Sequence, residues 1–140
     1  DLCFSNILYD TRSDKIKLID PRGVSFNNQE TVLGDLRYDI AKITHSIIGM
    51  YDFIIAGRYN FEIVDINNYS LSFHLNDNLK EIQTLYLKHQ FMNSVNIKSI
   101  IPLTILLFLS MLPLHKDDKK RQEVLFANAL KLYSELMDLK

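Results

Sequence analysis

Short apolar runs separated by polar residues predict a β-hairpin at the start of the chain. Residues 6–9 and 15–19 are rich in Ile, Leu and Tyr, and the polar stretch DTRSD separates them. Two such runs joined by a few turn-forming residues are typical of antiparallel strands. With the loop centred in that stretch, we expect Leu8 to pair with Leu18.

Most of the remaining chain has the spacing of amphipathic helices. Apolar residues at steps of four and three predict one helix, and they are Leu36, Ile40, Ile43, Ile47 and Met50. Further helices are expected near residues 78–92 and 117–139. Between Phe61 and Phe73, the runs FEIV and YSLSF flank DINN, which indicates a second small hairpin.

Residues 100–114 form an apolar run without a charged side chain. A membrane-spanning helix needs about 20 apolar residues, so this run is short for a span. Pro102 suits the first turn of a helix and Pro113 its exit. We therefore expect a buried core helix.

Composition limits the classes of protein. The chain has 140 residues, 47% of them hydrophobic, which is enough for one core and predicts a single domain over residues 1–140. The net charge of -1 gives no field that favours nucleic acid or an anionic membrane, so neither is expected as a partner. One cysteine excludes an internal disulfide and fits a reducing, cytoplasmic location.

The predicted hairpin would bring two oxygen-bearing side chains together. Its register places Asn6 opposite Asp20, and directly opposed residues have Cβ atoms about 4.5 to 5.5 Å apart. An amide oxygen and a carboxylate could then share Mg²⁺, which takes its other ligands from waters and phosphates. Asp1 lies one short loop away. Alternatively, Asn6 merely begins a strand and Asp20 starts a turn with Pro21.

Three ordered motifs carry a resemblance to a known family. DLCFSNILYD, IKLIDPRG and GDLRYDIAK follow one another between Asp1 and Met50, about a third of the chain. Together they resemble the C-terminal lobe of the aminoglycoside phosphotransferase and choline kinase family, whose catalytic loop reads H-G-D-x4-N. The resemblance implies an α+β, mainly helical fold. It would be a protein-kinase-like C-terminal lobe whose small hairpin carries the metal site.

The resemblance also implies a role for each polar residue of these motifs. Asp1 becomes the catalytic base that accepts the proton of the attacking hydroxyl, and Asn6 and Asp20 become magnesium ligands. Asp35 and Asp39 would support the catalytic loop, Asp39 as its brace. Asp35 is also expected, from its position alone, to cap the helix beginning near Leu36. Arg22 is a candidate contact for a phosphate or substrate, or else forms a surface salt bridge.

The chain differs from the family pattern in two places. No His-Gly pair precedes Asp1, and Asp20 is followed by Pro-Arg-Gly, where protein kinases have Phe-Gly and many relatives have an aromatic residue. A Gly-rich phosphate loop is also absent from the sequence, because its four glycines are isolated. We therefore expect a fragment that lacks the N-terminal nucleotide-binding lobe and is inactive alone.

Two functions of different class remain. The first is an ATP-dependent small-molecule kinase with Mg²⁺ as cofactor, acting on a hydroxyl of a sugar, amino alcohol or aminoglycoside-like acceptor. The Asp-Pro-Arg-Gly variant resembles phosphotransferase modules linked to bacterial surface-sugar metabolism more than it resembles antibiotic-resistance enzymes. The second is a non-catalytic, kinase-like helical module that binds a partner. The expected partners are the acceptor, the missing lobe of the same protein, and further copies of the chain through an exposed lobe interface.

Overall fold

The computed structural model describes residues 1–21, 23–25, 27–31, 33–66, 68–91 and 95–138. This part of the chain is an α+β fold, as expected, in which helices predominate and two antiparallel hairpins lie apart. The strands are β1 (Ile7–Asp10), β2 (Lys15–Leu18), β3 (Tyr59–Ile63) and β4 (Tyr69–Phe73). The helices are α1 (Leu36–Ile47), α2 (Tyr51–Ile55), α3 (Asp77–Lys88), α4 (Ile97–Met111) and α5 (Lys119–Asp138). Short 3₁₀ turns cover Phe4–Asn6 and Leu112–His115.

The first hairpin is confirmed, but the predicted register is wrong by one residue. Leu8 lies opposite Lys17 rather than Leu18. The Asp10 carboxylate accepts hydrogen bonds from two backbone N–H groups and a hydroxyl within the loop. These bonds stabilise a four-residue loop between β1 and β2. The loop length fixes the register of a hairpin. A four-residue loop therefore pairs each β1 residue with a partner one position earlier in β2 than predicted.

Helix α1 begins directly after the predicted cap, Asp35. The face that it buries is more polar than the spacing of its apolar residues predicts. Asp35 accepts a hydrogen bond from the backbone N–H of Arg37 at 2.9 Å, which confirms it as the N-cap. Thr44 and His45 are buried on α1. The helix ends before Met50, which adopts a left-handed backbone conformation and caps α2 instead.

The core is built around α4, which packs between α1 and α5. On the α5 side, Phe108 is fully buried against Val124 and Leu125. On the α1 side, Ile100 is fully buried together with Ala41. Helix α1 is therefore anchored in the interior by its apolar side.

Helix α4 starts earlier than the apolar run suggests. Asn96 caps it by accepting from the backbone N–H of Lys98 at 2.9 Å, so Pro102 lies inside the helix rather than in its first turn. Only one face is core, since Leu106 on the opposite face is 60% exposed. With the following turn, Ile97–His115 has the length and composition of a possible membrane span, although only 28% of that stretch is buried.

The second hairpin, β3 and β4, is confirmed and packs on α5. Leu71 of β4 joins the core. The Tyr69 hydroxyl donates to the Ala127 carbonyl oxygen at 2.7 Å. This hairpin therefore contributes to the interior as well as to the surface.

Candidate active site

The segment before β1 is folded back onto its first residue. The Asp1 carbonyl oxygen accepts from the backbone N–H of Cys3 at 3.1 Å and from the Asn6 side-chain amide at 2.9 Å. The Asn6 N–H in turn donates to the Cys3 carbonyl at 3.0 Å. Asn6 is therefore tied to the same short loop that carries Asp1.

One face of α1 holds this loop at three points. Asp39 Oδ1 lies 3.1 Å from the Asp1 backbone nitrogen, and Lys42 Nζ lies 3.0 Å from Asp1 Oδ1. The Ser46 hydroxyl accepts from the backbone N–H of Phe4 at 3.4 Å. Steps of three and four residues put these three helix side chains on one face. Asp39 therefore contacts the loop that carries Asp1, and its role as a brace stays a prediction.

Asp20 lies next to this loop but does not face Asn6 across the ladder as predicted. The Ile19 N–H donates to the Asn6 carbonyl oxygen at 3.0 Å, so Asn6 is opposite Ile19. The prediction was wrong because of the one-residue register shift. Asp20 follows β2 with a backbone φ of 50°, in the left-handed region that non-glycine residues rarely adopt. The chain therefore turns at Asp20, the predicted metal ligand.

A cleft of about 530 Å³ opens between the N-terminus of α1 and the loops that follow Asp20. It contains two of the predicted residues that bear on catalysis, Asp1 and Asp39, together with the helix cap Asp35. The hydroxyl-bearing residues Ser25 and Tyr38 also line it. The remaining lining is Pro21, Gly23, Val24, Leu33, Gly34 and Leu36. The cleft is therefore polar on the α1 side and lined by small and apolar residues on the loop side.

Asp35 is held at the rim of this cleft by its neighbour. The Arg37 guanidinium donates to both carboxylate oxygens, and this pairing together with the backbone bond lowers the pKa of Asp35. Arg22, the candidate phosphate contact, lies outside the described residues.

The donors for a magnesium ion are few. Within the described ranges, no three His, Cys, Asp or Glu side chains are grouped as a metal site. Mg²⁺ nevertheless binds through one or two protein carboxylates, with substrate phosphates and water supplying the rest. The Asn6 amide nitrogen is committed to the Asp1 carbonyl, which leaves its amide oxygen as the metal-binding atom. Asn6 and the exposed Asp20 therefore fit the donor chemistry of such an ion.

The sequence interpretation missed Lys42, although a signal for it was present. Asp39 and Lys42 are three residues apart, so they share a helix face, and Asp39 was already assigned to the loop. A lysine at such a position usually points to solvent, which is why the spacing alone did not single it out. Its side chain is only 13% exposed.

Comparison with known proteins adds no assignment. No protein-family model, curated protein or solved structure matches this chain. The function must therefore be argued from the contacts around Asp1, Asn6 and Asp20.

Proposed function

We propose that this chain is the catalytic, kinase-like C-terminal lobe of an ATP-dependent small-molecule phosphotransferase. The observation that carries the proposal is Asp1, which lines the 530 Å³ cleft and whose carboxylate is held by Lys42 of α1. Asn6 is bonded to the same loop and Asp20 follows the adjoining strand. A base and two metal-binding side chains are what phosphoryl transfer to a hydroxyl requires.

Asp1 acts as the base. One carboxylate oxygen accepts the proton of the acceptor hydroxyl while the hydroxyl oxygen forms its bond to the γ-phosphorus of ATP. The bond from that phosphorus to the bridging oxygen breaks, and its electron pair leaves with ADP. The role suits Asp1 because its side chain is partly exposed, at 31%, although Oδ1 is buried. The other oxygen is therefore the one available to the acceptor.

Asn6 and Asp20 would hold the magnesium ion of the nucleotide. When bound, that ion supplies positive charge that offsets the charge of the nucleotide phosphates. The left-handed backbone of Asp20 supports a functional role, since such conformations cost about 1 to 3 kcal/mol and cluster at active sites. Asp39 serves as the brace of the loop that carries Asp1 and Asn6.

The acceptor is proposed to be a small polyhydroxyl molecule, a sugar or an amino alcohol. The cleft has the size of a small-molecule site. Carboxylates of Asp1, Asp35 and Asp39 and the hydroxyls of Ser25 and Tyr38 offer hydrogen-bond partners for hydroxyl and amine groups. Surface-sugar metabolism in bacteria and a cytoplasmic location remain predictions.

The first hairpin is the proposed contact with a nucleotide-binding lobe of the same protein. In the observed register, Ile7, Tyr9, Ile16 and Leu18 share one face, and Tyr9, Ile16 and Leu18 are each at least 60% exposed. A two-stranded hairpin is marginally stable alone, so a covered apolar face would stabilise it. The lobe would also supply phosphate contacts that this sequence lacks.

Phosphoryl transfer by the full-length protein tests the proposal. The purified protein is incubated with Mg²⁺, γ-labelled ATP and a panel of sugars and amino alcohols. We expect a labelled acceptor, with turnover at least about 100-fold lower in Asp20→Ala and in Asp1→Asn. Asp77→Ala is the matched control, because the Asp77 side chain is 98% exposed on α3. Normal turnover in Asp20→Ala would refute the metal assignment. A wild-type protein without ATP-dependent transfer would favour the non-catalytic module.

A further inference from the structure

A second charged residue reaches the proposed base from α1. Lys42 Nζ lies 3.0 Å from Asp1 Oδ1, in an ion pair whose angles fall outside those of a hydrogen bond. The Lys42 side chain is 13% exposed, although lysine is normally solvated. Removing an ammonium from water is costly unless a carboxylate compensates it. The pair is therefore unlike the exposed pairs elsewhere on the described surface, such as Lys80 with Asp77.

The position of Lys42 is fixed by the helix that carries it. Its neighbours Ile40 and Ala41 are buried in the core against α4. Asp39 and Ser46, on the same face as Lys42, bind backbone groups of the Asp1 loop. An ammonium on a well-packed helix holds its partner more firmly than one on a loop.

We propose that Lys42 is a positioning residue, which fixes the orientation of the Asp1 carboxylate for proton transfer. The inference rests on the proposed kinase function. Lys42 engages the buried Oδ1, so the second carboxylate oxygen is the one presented to the acceptor hydroxyl.

Two further charged side chains, Asp39 and Asp35, lie near Asp1. On α1, Asp39 is the second charged side chain in contact with the residue, and it faces the Asp1 backbone nitrogen. Asp35 lines the same cleft and is paired with Arg37. These groups are unchanged when Lys42 is replaced, so the difference between variants reports Lys42 alone.

The first test measures how firmly Asp1 is held and needs no catalysis. In the full-length protein at pH 7, the side-chain methylene of Asp1 is followed by ¹³C relaxation and assigned with Asp1→Asn. We expect a lower order parameter in Lys42→Met, because the ion pair that holds the carboxylate is lost. Lys80→Met, which removes the exposed pair with Asp77, is the control and should leave the Asp1 order parameter unchanged. An unchanged order parameter in Lys42→Met would overturn the inference. Lys42→Gln replaces it if the Met variant does not fold.

The second test measures turnover in the full-length protein. Release of phosphate from Mg·ATP, with water as acceptor, is measured at pH 7. Lys42→Met should lower kcat about tenfold or more with little change in KM for ATP, because the base is no longer held in position. Lys42→Arg, which retains the charge, should restore kcat. Wild-type kcat in Lys42→Met would overturn the inference. A less ordered Asp1 side chain in Lys42→Met, in a protein without any ATP turnover, would support the positioning contact and overturn the kinase assignment.

Discussion

Acidification should destabilise the fold through one buried histidine. His45 on α1 is 1% exposed and lies between the rings of Tyr51 and Phe108, with centroid distances of 4.3 and 4.0 Å. Neither ring nitrogen has a hydrogen-bond partner in the structure. Burial, and to a smaller extent the charge of Lys42, lowers the pKa of His45 from 6.5 to about 3. The folded protein therefore holds the imidazole neutral.

The sign and size of the effect follow from this pKa. Below pH 6.5 the unfolded chain binds a proton at His45 that the folded chain does not bind. The stability that the neutral His45 contributes is therefore fully present above the pKa of the unfolded chain, 6.5. It falls as the pH decreases from there toward the folded pKa of about 3. The slope approaches about 1.4 kcal/mol per pH unit. Between pH 7 and pH 5, the free energy of unfolding should fall by about 2 kcal/mol from this group.

Urea unfolding followed by circular dichroism at pH 7 and pH 5 measures this loss. We compare the wild type with His45→Phe, and use His45→Gln where the larger ring strains the core. Carboxylates contribute equally to all variants, so the difference in pH dependence isolates His45. Replacement of the exposed His89 by Gln reports the cost of removing a surface histidine. A His45 variant with the same pH dependence as the wild type would refute the buried neutral imidazole.

Three further changes test packing, capping and the exposed hairpin. Gly49→Ala should lower the free energy of unfolding by about 1 to 3 kcal/mol, because its Cβ would lie 2.6 Å from the His45 carbonyl oxygen. Gly34→Ala, with no atom within 4 Å, should be neutral in the same urea titration. Asp35→Ala should speed hydrogen exchange at the start of α1, and unchanged exchange would contradict its role as the cap. The isolated chain should self-associate with concentration in light scattering, and Leu18→Glu should reduce this. A mass equal to that of one chain at every concentration would disprove self-association.

Local signals explain which parts of the fold the sequence predicts. Asp35 was found as a helix cap because capping depends on one side chain and the next backbone amides. Both hairpins were found from their apolar runs. The first register was missed because it depends on the length of the loop, which the Asp10 bonds determine.

The polar interior of α1 could not be found from an apolar pattern. Thr44 donates to the Ile40 carbonyl oxygen at 2.6 Å, which satisfies its hydroxyl inside the core. His45 is buried against Tyr51 of α2 and Phe108 of α4, and only tertiary folding brings Phe108 to it. The same limit applies to Lys42, whose partner Asp1 is brought to α1 only by tertiary folding.

The central claim is that Asn6 and Asp20 hold the metal of a nucleotide in front of Asp1. Paramagnetic broadening of backbone amide resonances tests it most directly, with the full-length protein, Mn²⁺ and a non-hydrolysable ATP analogue. We predict that broadening is strongest at Asn6 and Asp20 and is lost in Asp20→Ala, while Asp77→Ala behaves as the wild type. Broadening that is centred elsewhere, or that persists in Asp20→Ala, would contradict the account.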